Sequence, residues 1–161
     1  AAFCLHLPYP KLALKGLNKI IPKDLNPENK ERLTNNFDAS ITYSRQIGNI
    51  YTGSLYLGLL SLLEQSQDLK AGDKIGFFSY GSGAVSEIFS GRLVEGYKDL
   101  LRSDRLDTFA KRQQLSVADY EKLFYEEAQL DDTGSTQFAD YQTGAFRLAE
   151  ISEHQRIYKG H

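Results

Sequence analysis

The chain has 161 residues, a formal net charge of −2, 41% apolar residues, one cysteine and no methionine. That length supports one domain burying about 70% of its unfolded surface, and the charge gives no basis for nucleic-acid binding or a polybasic membrane patch. The longest mostly apolar run, residues 55–63, is far short of the roughly 20 residues that span a bilayer.

Residues 1–10 lack the basic start and apolar core of a signal peptide. A single cysteine forms no internal disulfide and fits a reducing, cytoplasmic setting. The missing methionine leaves two readings open, an initiator removed before Ala1 or a piece of a larger protein.

Residues 3–7 are short and apolar, and prolines at 8 and 10 predict a strand ending in a turn. Leu12, Leu17, Ile20 and Ile21 recur at helical spacing up to Pro22. Asn26-Pro27-Glu28 predicts a second, short helix capped by Asn26. Residues 49–64, with Leu55, Leu59, Leu60, Leu62 and Leu63 on more than one face, predict a helix buried on most sides. After a turn at 69–73, Lys74–Tyr80 reads as a central strand. Gly81-Ser82-Gly83 joins it to a second strand over 84–94, predicted antiparallel.

Residues 96–130 are charged and read as helical, with Ser116-Val117-Ala118-Asp119 opening the last helix as a capping box. A loop at 131–135 precedes a single final strand over 145–158. The order of strands and helices predicts an α/β fold without repeats.

Cys4 and His6 invite the guess of a thiol and its base. On a strand they share a face but stand about 7 Å apart, an awkward span for proton transfer. A lone cysteine in an apolar strand reads as packing. His6 ends a strand before a rigid turn, where open α/β sheets place ligand chemistry.

Residues 78–84 fail as a nucleophile elbow, because Tyr80 stands where the first glycine belongs. They fail as phosphate-binding loops too. Ser82 between two glycines is a plain hairpin turn or a place of close ligand approach. Asn49 caps a helix, or offers its amide to a carbonyl or anion. Lys11 and Lys15 form a solvated face, or hold a phosphate-bearing ligand near His6. His154 and His161 lack zinc spacing, so no metal site is expected, and the acidic pairs at 126–127 and 131–132 read as surface.

Three motifs gain force in order: Phe-x-x-His-x-Pro-Tyr-x-Lys at 3–11, Tyr-Ser-Arg-Gln-Ile-Gly-Asn-Ile-Tyr-Thr-Gly-Ser-Leu-Tyr at 43–56, and Gly-Phe-Phe-Ser-Tyr-Gly-Ser-Gly-Ala at 76–84. Together they resemble the hydroxymethylglutaryl-CoA synthases of bacterial type, most specifically over residues 3–15, 43–63 and 74–97. The match is to the C-terminal portion of that family, from its active-site histidine onward.

The resemblance implies a thiolase-like layered fold, the C-terminal part of a duplicated αβαβα architecture, in a cytoplasmic homodimer. It implies condensation of acetyl-CoA with acetoacetyl-CoA and water to 3-hydroxy-3-methylglutaryl-CoA, in the mevalonate route to isoprenoids. No cofactor beyond the CoA thioesters is implied, and no nucleic-acid or membrane partner. The family's cysteine nucleophile and glutamate acid/base lie upstream, in an N-terminal remainder. Cys4 does not inherit the nucleophile's role, and the 161 residues alone are expected to be inactive.

By the same resemblance His6 anchors and polarises the acetoacetyl carbonyl. Asn49 and Ser82 hydrogen-bond the acyl group, and Lys11 and Lys15 lie near the CoA chain. Tyr51 and Tyr80 are no part of what the resemblance implies; as neighbours of these motifs they are candidate walls of the acyl pocket. Donors converging on one acyl oxygen suit a reaction that builds negative charge there. Two alternatives stand beside this reading: another thiolase-fold condensing enzyme, such as a ketoacyl synthase, and a non-catalytic α/β module.

Overall fold

The computed structural model describes residues 1–6, 9–81, 83–139 and 145–160. The chain divides into two units, Ala1–Arg112 and Gln113–His161.

In the first unit, β1 (Ala2–Leu5) pairs in parallel with β2 (Lys74–Tyr80), and β2 pairs antiparallel with β3 (Ser86–Arg92). The helices are α1 (Pro10–Ile20), α2 (Pro27–Ile41), α3 (Ser44–Ile47), α4 (Gly53–Gln65) and α5 (Arg105–Ala110). Alternation along β1 sends its side chains into two cores. Ala2 and Cys4 join Leu55 and Leu62 of α4 and Ile75 and Phe77 of β2. Leu5 joins Ala13 and Leu17 of α1 and Phe37 and Ile41 of α2. Phe77 faces Phe89 across the antiparallel pair, with rings stacked 4.8 Å apart.

β2 has the predicted bounds, and β3 is antiparallel as expected but shorter, at 86–92 rather than 84–94. β1 covers 2–5 rather than 3–7, and Leu7 lies outside the described residues. α1 begins at Pro10, whose fixed φ suits a first helical turn, and ends at Ile20.

Asn26 caps α2 through a 2.8 Å bond from Asn29 N–H to its Oδ1, as predicted. That helix runs 15 residues instead of being short. Only its last turns carry buried side chains (Asn36, Phe37, Ser40, Ile41), so most of it shows no apolar period. The helix expected at 49–64 starts at Gly53. Gly48 and Tyr51 hold positive φ values of 86° and 55°, which break the backbone after α3.

α4 is pinned at its far end. The carboxylate of Glu64 is almost fully buried, and Arg105 grips it with bonds of 2.9 and 3.1 Å from Nε and Nη2. Tyr43 Oη–H and Arg102 N–H also donate to it. Burial alone would raise the Glu64 carboxyl, but these donors outweigh it and hold the group below the usual carboxylate range. Burial, then the Glu64 hydrogen bond, pushes the Tyr43 phenol up to about 12.

The second unit contains α6 (Val117–Tyr125) and an antiparallel sheet in the order β4 (Thr136–Gln137), β5 (Phe146–Ser152), β6 (Gln155–Gly160). The cap at Ser116 forms as predicted, its Oγ accepting from Asp119 N–H at 3.1 Å. The charged stretch at 96–130 is less helical than predicted. It holds a 3₁₀ turn at Tyr97–Leu100, α5 and α6, each nine residues or fewer.

The single strand expected over 145–158 is a hairpin. Its turn places Glu153 and His154 at φ 47° and 65°, the left-handed pair that a two-residue turn requires. Neither is glycine, so propensity gave no sign of the turn. Glu153 N–H is held by Ser135 Oγ and His154 N–H by the Gly134 carbonyl, both at 3.0 Å. Among the described residues no helix is long and apolar enough to cross a membrane.

Replacing Arg105 by alanine strands a buried carboxylate, and the expected loss is about 2–4 kcal/mol in chemical unfolding. Because Glu64 sits low in the folded state, its contribution is complete above the ordinary carboxylate pKa of about 4.3 and fades as pH falls through the lower folded value. Unfolding followed from pH 7 to pH 3 should show an acid destabilisation that is smaller in Arg105→Ala.

Candidate active site

The parallel ladder carries one residue past β1, because His6 N–H donates to the Phe78 carbonyl at 2.8 Å. That bond sets the imidazole beside the end of β2, where it packs on the Tyr80 ring at 4.8 Å between centroids, tilted by 58°. His6 Nδ1 is buried and has no hydrogen-bond partner. An orphaned buried nitrogen costs about 1–3 kcal/mol, a penalty that a ligand at this atom would relieve.

The ring forms part of the wall of a cleft of about 520 Å³. One side of the cleft is the α1 face bearing Leu12, Ala13, Gly16 and Ile20; the other is Leu5, Phe78 and Ile88 on the sheet. Leu12, Ile20 and Ile88 are exposed apolar side chains, with Ile88 at 80%. The polar groups along this apolar lining are His6, Tyr80, Lys15 and Lys19. Gly16 keeps the α1 side low. A Cβ there would sit 3.8 Å from Leu5 Cδ1, an ordinary contact, whereas a longer side chain would enter the cleft.

Tyr80 also lines a second, smaller cleft of about 180 Å³, with Thr52, Ser79, Gly81, Val85 and Glu87. Thr52 belongs to the loop that carries Asn49. Asn49 does not cap α4, because Thr52 occupies that position. Its Oδ1 accepts from Tyr51 N–H at 2.9 Å and from Ser54 Oγ at 3.2 Å, which ties up the carbonyl end and fixes the left-handed Tyr51 backbone. No described residue bonds its Nδ2. The Tyr51 ring is 82% exposed.

The structure thus brings His6, Lys15 and Tyr80 together in one cleft. It places the Asn49 loop against a neighbouring cleft through Thr52, although the Asn49 side chain lines neither. Lys11 is exposed and lines neither. Ser82 and His161 lie outside the described residues. Lys19 was missed by sequence reasoning, although lysines at 11, 15 and 19 repeat every four residues and one turn more would have found it. Leu12, Ile20 and Ile88 were missed because exposed apolar residues carry no pattern of their own.

Cys4 keeps away from this chemistry. It is 1% exposed within the apolar core of Leu55, Leu62 and Phe77. No hydrogen bond joins it to His6 among the described residues. Burial pushes its thiol up to about 12, which denies it the thiolate that nucleophilic attack needs. Nor does any cluster of three or more His, Cys, Asp or Glu side chains stand ready to hold a metal, again among the described residues.

A structure of a hydroxymethylglutaryl-CoA synthase complexed with CoA superposes on 99% of this chain with a TM-score of 0.89 and 65% sequence identity. A second, solved with 3-hydroxy-3-methylglutaryl coenzyme A, superposes on 99% with a TM-score of 0.71 and 30% identity. The architecture is therefore that of the thiolase-like α/β proteins, as the sequence resemblance implied. The family model described as "Hydroxymethylglutaryl-coenzyme A synthase C terminal" matches residues 16–161. The Enterococcus faecalis synthase is 47% identical over 131 residues, 81% of this chain. The chain belongs to the hydroxymethylglutaryl-CoA synthase family. It spans about a third of the Enterococcus protein (34%) and 41% of each of the two solved chains.

Two outcomes test this geometry. Iodoacetamide should leave Cys4 unmodified in the native protein and label it once denaturant is added, as read by intact mass. Gly16→Ala should stabilise α1 by about 0.5–1 kcal/mol in thermal unfolding, since glycine is costly inside a helix and the added methyl meets only an ordinary contact.

Proposed function

We propose that this chain forms the acyl-binding wall of an enzyme that condenses acetyl-CoA with acetoacetyl-CoA and water to give 3-hydroxy-3-methylglutaryl-CoA, the entry to the mevalonate route. The observation that carries the reading is the orphaned imidazole nitrogen of His6 in an apolar cleft. A neutral imidazole offers one donor and one acceptor. In the tautomer protonated at the nitrogen that meets the substrate, it donates to the ketone oxygen of acetoacetyl-CoA.

Attack of the acetyl-enzyme carbanion turns that oxygen into an alkoxide. A donor fixed in low-dielectric surroundings stabilises the new charge without reorganising. Tyr80 packs on the ring and limits its rotation, which keeps the donor aimed. The Asn49 amide, whose Nδ2 has no described partner, and Ser82 are the further acyl-binding groups in this reading. Lys15 and Lys11 attract the anionic CoA ester.

The nucleophilic cysteine and the glutamate acid/base come from an N-terminal remainder of the same protein. The reaction draws on no cofactor beyond the thioesters themselves. The enzyme acts as a cytoplasmic homodimer in this proposal. The bacterial relative from Enterococcus faecalis supports the compartment.

His6→Ala in the full-length protein is the test. Acetoacetyl-CoA affinity should fall by tenfold or more and turnover by about 10²-fold or more, while the rate of acetylation by acetyl-CoA changes little. Titration calorimetry and stopped-flow acetylation measure the two effects. Unchanged acetoacetyl-CoA affinity would overturn the role given to His6.

A further inference from the structure

The loop between α3 and α4 is fastened by one hydroxyl. Ser54, the second residue of α4, is fully buried, and its neighbour in sequence, Leu55, is seated in the core with Leu62 and Cys4. Ser54 Oγ accepts from Ile50 N–H at 2.9 Å and donates to Asn49 Oδ1 at 3.2 Å. The same Oδ1 accepts from Tyr51 N–H at 2.9 Å. A serine on an anchored helix thus ties down both an amide side chain and the backbone that follows it.

These bonds decide which end of the Asn49 amide is left over. Tyr51 N–H can only donate, so the atom facing it is the amide's acceptor, its carbonyl oxygen. Turned over, the amide would set its NH2 against that N–H, two donors with no acceptor between them. The Ser54 hydroxyl agrees. Having accepted from Ile50 N–H, it has its own proton to give, and Oδ1 takes it. What remains is Nδ2, which no described residue bonds.

Gly48 and Tyr51, with φ of 86° and 55°, flank Asn49. A tyrosine enters the left-handed region at a cost, so backbone preference does not hold the loop in this shape. The bonds at Asn49 and Ser54 do. Thr52, at the N-cap of α4, adds no side-chain cap bond of its own.

We infer that Ser54 is the positioning residue for Asn49, fixing its amide so that the acyl site receives an N–H donor and not a carbonyl oxygen. This rests on the function proposed above, in which Asn49 is an acyl-binding group. Ser54 is buried, touches no substrate atom and acts through the amide. A donor fixed this way suits an oxygen that gains negative charge, whereas a freely turning amide would at times offer it the wrong end.

The test is a double-mutant cycle in the full-length protein, read as kcat for condensation and as the rate of acetylation by acetyl-CoA. Asn49→Ala should lower kcat about 10²-fold, the loss of one such donor, and Ser54→Ala about tenfold. The double variant should fall no more than about threefold below Asn49→Ala, because Ser54 then has nothing to orient. Acetylation should stay within about twofold of the parent throughout. Ser54→Cys fills the buried space with a thiol that donates only weakly, so its kcat should fall close to that of Ser54→Ala. This variant carries the test if alanine at 54 impairs folding.

Losses that multiply in the double variant, acetylation that slows together with kcat in the Ser54 variants, or a parental kcat in Ser54→Cys would overturn the positioning role and leave the condensation reading intact. A parent protein that does not condense the two thioesters would overturn both.

Discussion

One backbone hydrogen bond organises the site. His6 N–H to the Phe78 carbonyl extends the parallel pairing of β1 and β2 by a residue, and everything near the imidazole follows from it. The strands lie far apart in sequence, so the pairing brings two motifs together that share no local signal. Strand register is strict because neighbouring side chains face opposite sides. A slip of one position would turn Cys4 out of the α4 core and carry His6 away from Tyr80. The two buried clusters forbid that slip, since each accepts one set of alternating β1 side chains.

The cleft's apolar lining gives this arrangement chemical force. A ligand seated against Leu5, Leu12, Phe78 and Ile88 displaces water from beside the imidazole, so the donor there competes less with solvent for the carbonyl it serves. The same apolar burial that makes a hydrogen-bond donor effective makes a thiol inert. Cys4 and His6 stand two residues apart, and the fold gives them opposite fates. One side chain enters a closed core and the other ends the strand at an open cleft. Sequence proximity is therefore no guide to partnership here.

Much of the fold could be read from sequence where local chemistry and tertiary burial agree. β2 carries Ile75, Phe77 and Phe78 between a turn and Gly81, and its bounds were right. Asn26 and Ser116 cap their helices because a short polar side chain beside a free backbone N–H has one favourable use. The length of α2 was hidden, because a helix covering a core with its last turns alone shows too few apolar repeats. The break before α4 was hidden as well, since Tyr51 adopts a left-handed backbone that its side chain disfavours. Of the site, His6 and Lys15 were visible through resemblance and spacing. The apolar side chains of the cleft were not, because an exposed leucine or isoleucine looks the same whether it lines a channel or faces empty solvent.

The hairpin of the second unit has a bearing on how that unit assembles. Its turn uses two residues that resist the required backbone, and Gly134 and Ser135 make up the deficit from outside the hairpin. The His154 ring lies so close over Gly134 that a Cβ there would fall 2.4 Å from Nε2, so the two loops interlock. Such a hairpin draws the stability of its turn from the 131–135 loop, so a change that loosens that loop also loosens the last two strands.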